Sequence, residues 1–99
     1  MTKQITLSVN NVPINLDYFV QEYIDHVVGG IVASLNDTRE IENLELFIDN
    51  EGQVTINLNN ADVSLKYFPN EIIKSTIMGM VTKLKGVSEA DRLELTISR

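Results

Sequence analysis

Apolar and polar residues alternate along residues 5–9, 44–48, 54–58 and 93–97. In each run three aliphatic side chains fall on one face, Ile5, Leu7 and Val9 in the first and Leu93, Leu95 and Ile97 in the last, which is the period of a half-buried strand. Between these runs the period lengthens to that of a helix. Ile24, Val28, Ile31 and Leu35 form one apolar stripe and Ile73, Ile77, Met80 and Leu84 another, predicting helices over about residues 20–35 and 69–84. Asn10-Asn11 and Asn59-Asn60 sit centrally between apolar residues. A two-residue loop there pairs Val9 with Val12 and Leu7 with Ile14, or Leu58 with Ala61 and Ile56 with Val63. Asparagine tolerates the positive φ that such type I′ loops need at both positions. Each half therefore reads as strand, strand, helix, strand.

The helix ends follow from local chemistry. Pro69 fits the first helical position, with Phe68 as the cap, and this puts Glu22 and Glu71 in the first turns against the positive end of the dipole. Gly86 is expected to end the second helix and Asp37 the first.

The two halves match as sequences. Residues 5–50 laid over 54–99, at a constant shift of 49 and without a gap, give 16 identities in 46 aligned pairs, among them Asn10/Asn59, Glu22/Glu71, Gly30/Gly79 and Glu45/Glu94. Units this small bury too little to stand alone, so the two are expected to share one core. Asp49-Asn50-Glu51-Gly52 has the composition of a type I turn with a glycine bulge, which makes the third and fourth strands a hairpin joining the halves. By symmetry the sixth strand then pairs with the first. The expected fold is α+β: a single domain over residues 1–99, a tandem duplication of a β-β-α-β unit (5–50 and 54–99), with six mainly antiparallel strands and two helices packed together on one face about a pseudo-twofold axis. The alternative is a closed barrel, since the plan resembles the small six-stranded barrels built from two interlocked halves.

Beside each central helix stripe lies a flanking one, Tyr23, Val27, Gly30 and Ser34 in the first helix and Ile72, Thr76, Gly79 and Lys83 in the second. A mid-helix glycine costs roughly 1 kcal/mol relative to alanine. Close approach of the other helix is the expected reason for Gly30 and Gly79, the same helix in a second subunit being the next, and leucine at either is then expected to destabilise by overpacking.

Composition narrows the function classes. With 99 residues, 43% of them hydrophobic, the chain makes one compact domain, and the absence of cysteine removes disulfides, thiolate metal sites and cysteine nucleophiles. The net charge of −6 lies wholly in residues 1–49, residues 50–99 being balanced. A negative domain repels phosphate backbones, so nucleic acid is not an expected partner. No apolar run suits a signal or a membrane span, and a soluble, cytoplasmic protein is the expectation.

Catalytic chemistry is sparse. His26 has no second histidine to complete a metal set, the serines follow no nucleophile spacing, and Gly29-Gly30 falls inside a helix, where it makes no phosphate loop. No metal or cofactor is expected. Glu45 and Glu94 occupy equivalent strand positions and, near the axis, form the one candidate carboxylate pair, with Tyr18 and Tyr67 as neighbouring candidates in a ligand site between the repeats. Phe47 breaks an otherwise polar strand face, and Met78 adds apolar helix surface. The preferred expectation is a non-enzymatic protein-interaction or self-assembly module, a homo-oligomer or partner of another protein, with Phe47, Met78, Gly30 and Gly79 as interaction candidates. A small-ligand binder or enzyme using Glu45, Glu94, Tyr18 and Tyr67 is the alternative.

Overall fold

A computed structural model describes residues 4–35, 41–63, 65, 67–84, 86–87 and 89–98, with Tyr67 and Phe68 as backbone only. The strands are β1 (Gln4–Val9), β2 (Val12–Pro13), β3 (Asn43–Ile48), β4 (Val54–Leu58), β5 (Ala61–Val63) and β6 (Leu93–Ser98); the helices are α1 (Tyr18–Ser34) and α2 (Tyr67–Val81). The strands form one sheet in the order β2-β1-β6-β3-β4-β5, every neighbour antiparallel. β2 and β5 are its two free edges, so the sheet is open and the barrel alternative is excluded.

The aliphatic positions of the four alternating runs all point into one core. Leu7, Leu44, Leu46, Ile56, Leu58, Leu93 and Leu95 are among its fully buried residues, and Ile24, Val28, Ile73 and Ile77 reach it from the helices. Each such side chain contributes about 1.5–3 kcal/mol by leaving water. Both helices thus cover the same sheet face. The molecule is 35 × 33 × 18 Å, two layers thick, and the other sheet face carries the alternate residues, including Thr6, Glu45, Thr55, Glu94 and Ser98.

The expected turns form. Asn10, Asn11, Asn59 and Asn60 all have positive φ, at 52°, 67°, 52° and 69°. Val9 pairs with Val12 and Leu58 with Ala61, as the loop geometry requires. Gly52 stands at φ 83° and donates its N–H to the Asp49 carbonyl at 2.9 Å, closing the hairpin between β3 and β4. β6 lies between β1 and β3, pairing Ile5 with Ile97 and Leu46 with Leu95.

The helices depart from expectation at their ends. α1 starts at Tyr18 behind Asp17, whose carboxylate accepts the Val20 N–H at 2.8 Å, and α2 starts at Tyr67, which puts Pro69 third instead of first. None of the first three helical N–H groups has a partner within the helix, so proline is tolerated at any of these positions and does not fix the start. Glu22 and Glu71 consequently stand beyond the first turn, and neither first turn is acidic. α2 ends at Val81, ahead of Gly86 at φ 92°; Asp37 lies outside the described residues. The buried helix stripes are also rotated slightly from those read in the sequence. Val32 and Val81 are buried, while Ile31, Leu35, Met80 and Leu84 border the core. Asp25 is buried on the same flank as Val32.

Candidate functional site

The flanking helix stripes face each other across a trough. At one end a hollow of about 510 Å³ is lined by Val27, Gly30, Ile31, Ser34 and Leu35 of α1 and its following residue, and by Pro69, Ile72, Ile73 and Thr76 of α2. At the other end a hollow of about 440 Å³ is lined by Phe19, Val20, Tyr23 and Val27, with Thr76, Gly79, Met80, Lys83 and Leu84 opposite. Val27 and Thr76 belong to both hollows and mark the middle of the trough.

The trough is apolar in character. Ser34 donates its hydroxyl to the Gly30 carbonyl and Thr76 to the Ile72 carbonyl, each at 2.8 Å, so these two wall hydroxyls are turned back onto their own helix. Among the lining residues Lys83 alone carries a charge. Large apolar side chains stand along and beside it in the open: Tyr18 is 78% exposed, Phe19 71%, Tyr23 50% and Ile72 53%. Phe19 and Tyr23, one helical turn apart, hold their rings 5.9 Å from each other.

Gly30 and Gly79 line the two hollows of the trough. A Cβ added at Gly30 or at Gly79 meets nothing within 4 Å, so the close approach of the two helices expected there does not occur within the chain. The reason is sheet width. Six strands at roughly 4.8 Å spacing span more than two helices at their usual 8–10 Å separation cover, and helices set apart shield more of the sheet at the cost of an open seam.

The remaining candidates lie elsewhere. Glu45 stands opposite Thr96 and Glu94 opposite Phe47, so the register sets the two carboxylates on a diagonal of the open sheet face, not side by side. Tyr18 opens α1 on the helix side of the sheet, and Tyr67 opens α2. The sheet therefore separates the glutamates from Tyr18. Phe47 is half-buried on the open face, with the Arg92 guanidinium 5.3 Å above its ring centre, and Met78 packs against the edge of the core, away from the trough. The open face is cross-linked by its own polar groups: the hydroxyls of Thr6 and Thr96 hydrogen-bond, and the Asn57 amide donates to Asp62 at 3.0 Å.

One set of residues was visible in the sequence only as turn formers. The Asn10 side-chain oxygen accepts the N–H groups of Asp91 (2.9 Å) and Arg92 (3.0 Å), just ahead of β6, and the Asn59 side-chain oxygen accepts those of Glu42 (2.9 Å) and Asn43 (3.0 Å), at the start of β3. Asn70, buried in α2, accepts from Val54 N–H (2.8 Å) and donates to the Gly52 carbonyl (3.0 Å), fastening that helix to the central hairpin. An asparagine in a turn or in a helix carries no mark of such long-range partners.

No protein-family model, curated protein or solved structure matches this chain. No helix among the described residues is long and apolar enough to cross a membrane.

Proposed function

We propose that the chain is a tandem duplication folded about a pseudo-twofold axis, and that it works as a non-enzymatic protein-interaction module whose contact surface is the helix layer. The observation that carries this reading is the apolar trough together with the large apolar side chains exposed on the helices, Tyr18, Phe19, Tyr23 and Ile72, since clustered exposed apolar surface marks interaction sites.

Several correspondences at the shift of 49 support the duplication. Ile5 pairs with Ile97 as Val54 pairs with Ile48, and Leu46 pairs with its own equivalent, Leu95, as it would if a twofold axis relating the halves passed through that pair. Asn10 holds residues 91 and 92 as Asn59 holds 42 and 43. Gly30, Ile31, Ser34 and Leu35 in one hollow answer to Gly79, Met80, Lys83 and Leu84 in the other, and Ile72 answers to Tyr23.

A photo-crosslinking side chain at Ser34, on the trough wall, and another at Thr55, on the open sheet face, test the contact surface in cells making the protein. Covalent protein adducts are expected from position 34. Adducts from position 55 with none from 34 would move the surface to the other face.

The alternative is a small-ligand site on the axis between the repeats. It draws support from hollow volumes within the usual range of about 300–1,000 Å³ for ligand pockets. A thermal midpoint raised by an apolar ligand, and no longer raised in Val27→Arg, is the outcome that favours it.

A further inference from the structure

We infer that the occupant of the helix face is a second copy of this chain, turned over so that the two helix layers meet and each helix lies antiparallel on a helix of the other copy. This rests on the reading of the helix layer as the contact surface and names its partner. Each helix carries a projection and a gap on the same flank. Tyr23 projects and Gly30 leaves open space on α1; Ile72 projects and Gly79 leaves open space on α2. In both helices projection and gap are seven residues apart, about 10.5 Å along the axis and within about 20° of the same face.

Equal spacing makes the surface complementary to itself. When one layer is inverted onto another about an axis in the layer plane, a projection of one copy meets a gap of the other, and the same two contacts recur with the roles exchanged. Such a twofold contact uses one surface twice and closes as a dimer. Tyrosine suits the anchor position, since it brings a large rigid area at small entropic cost. The area is sufficient as well. A stable interface takes roughly 800 Å² from each partner, and the helix layer forms one of the broad 35 × 33 Å faces of the molecule.

Charge gives the contact a signature. Each copy carries −6, while Lys83 alone of the trough-lining residues is charged, so the apolar contact forms against a general repulsion that salt screens. Association between the acidic half of one copy and the balanced half of another would respond to salt in the opposite sense.

Sedimentation equilibrium on the purified full chain, from micromolar to millimolar and at low and high salt, tests the inference. The expected result is a species of twice the 11.1 kDa chain mass, tighter at high salt. Gly30→Leu combined with Gly79→Leu fills both gaps and is expected to weaken the dimer at least ~10-fold, with the thermal midpoint of dilute protein not lowered. Tyr23→Ser combined with Ile72→Ser removes the projections and is expected to weaken it likewise, which covers the case in which the leucines disturb the helices. Thr55→Lys, on the open sheet face, is expected to leave the dimer intact. A single-chain mass throughout, or a dimer untouched by both helix pairs, overturns the inference, as does association that weakens with salt. If the chain is monomeric here while Ser34 crosslinks to a different protein, the helix face remains a contact surface and only the second copy falls. Without adducts at Ser34 the underlying reading falls too.

Discussion

Asn10 and Asn11 both stand in the left-handed region, at φ 52° and 67°, and Asn10 in addition accepts two N–H groups from the chain ahead of β6. Glycine at either position keeps the turn, because it reaches positive φ without penalty. Asn11→Gly is therefore expected to leave stability within about 0.5 kcal/mol, whereas Asn10→Gly removes the acceptor and is expected to cost about 1–2 kcal/mol. Urea denaturation of the two variants checks the difference, and equal costs would reduce Asn10 to a turn residue. Asn70 is the more demanding position. It is buried, and its amide oxygen receives the Val54 N–H, which has no water to turn to after Asn70→Ala. A loss of about 2–3 kcal/mol is expected there, as for other buried donors left without a partner, and amide hydrogen exchange at Val54 should accelerate with it.

Among the elements, the strands were the most legible in the sequence. Alternation at Leu44, Leu46 and Ile48, and at its three equivalents, gives one buried face whatever the neighbouring strands are, so β1, β3, β4 and β6 emerge with their burial correct. Sequence symmetry also supplied the least local pairing, β1 with β6. The helix starts were less legible, because Pro69 is compatible with several first-turn positions and Asp17 reads as a cap only once the chain around it is extended. The trough was half legible. Its lining residues are the flanking stripes, but whether those stripes touch depends on how far apart the sheet holds the helices, a distance no residue records. For the same reason the effect of filling the glycines changes sign. With open space beyond each Cβ position, Gly30→Ala and Gly79→Ala are expected to raise stability by about 0.5–1 kcal/mol each, read from thermal melts of dilute protein.

On the scale of the whole molecule, the halves cannot be parted without dismantling the sheet. β6 separates β1 from β3, so residues 1–50 alone lose the strand that joins their own first and third strands. Peptides 1–50 and 51–99 are each expected to be largely unfolded at low concentration and to recover the sheet when mixed in equal amounts. Far-ultraviolet circular dichroism of the mixture against the sum of its parts provides the check, and an independently folded half would show that one unit can close its own core. The pairing of Gln4 with Ser98 has a consequence for how the chain may be rewritten. Because these residues are direct cross-strand neighbours, a short turn can join them as the turn at Gly52 joins β3 to β4, and the chain can then be opened between Asn50 and Glu51. Such a circular permutant runs through the six strands in the spatial order of the original but begins with what is now its second half. Its melting curve should lie within a few degrees of the parent's, since the cut and the new bond exchange one hairpin for another.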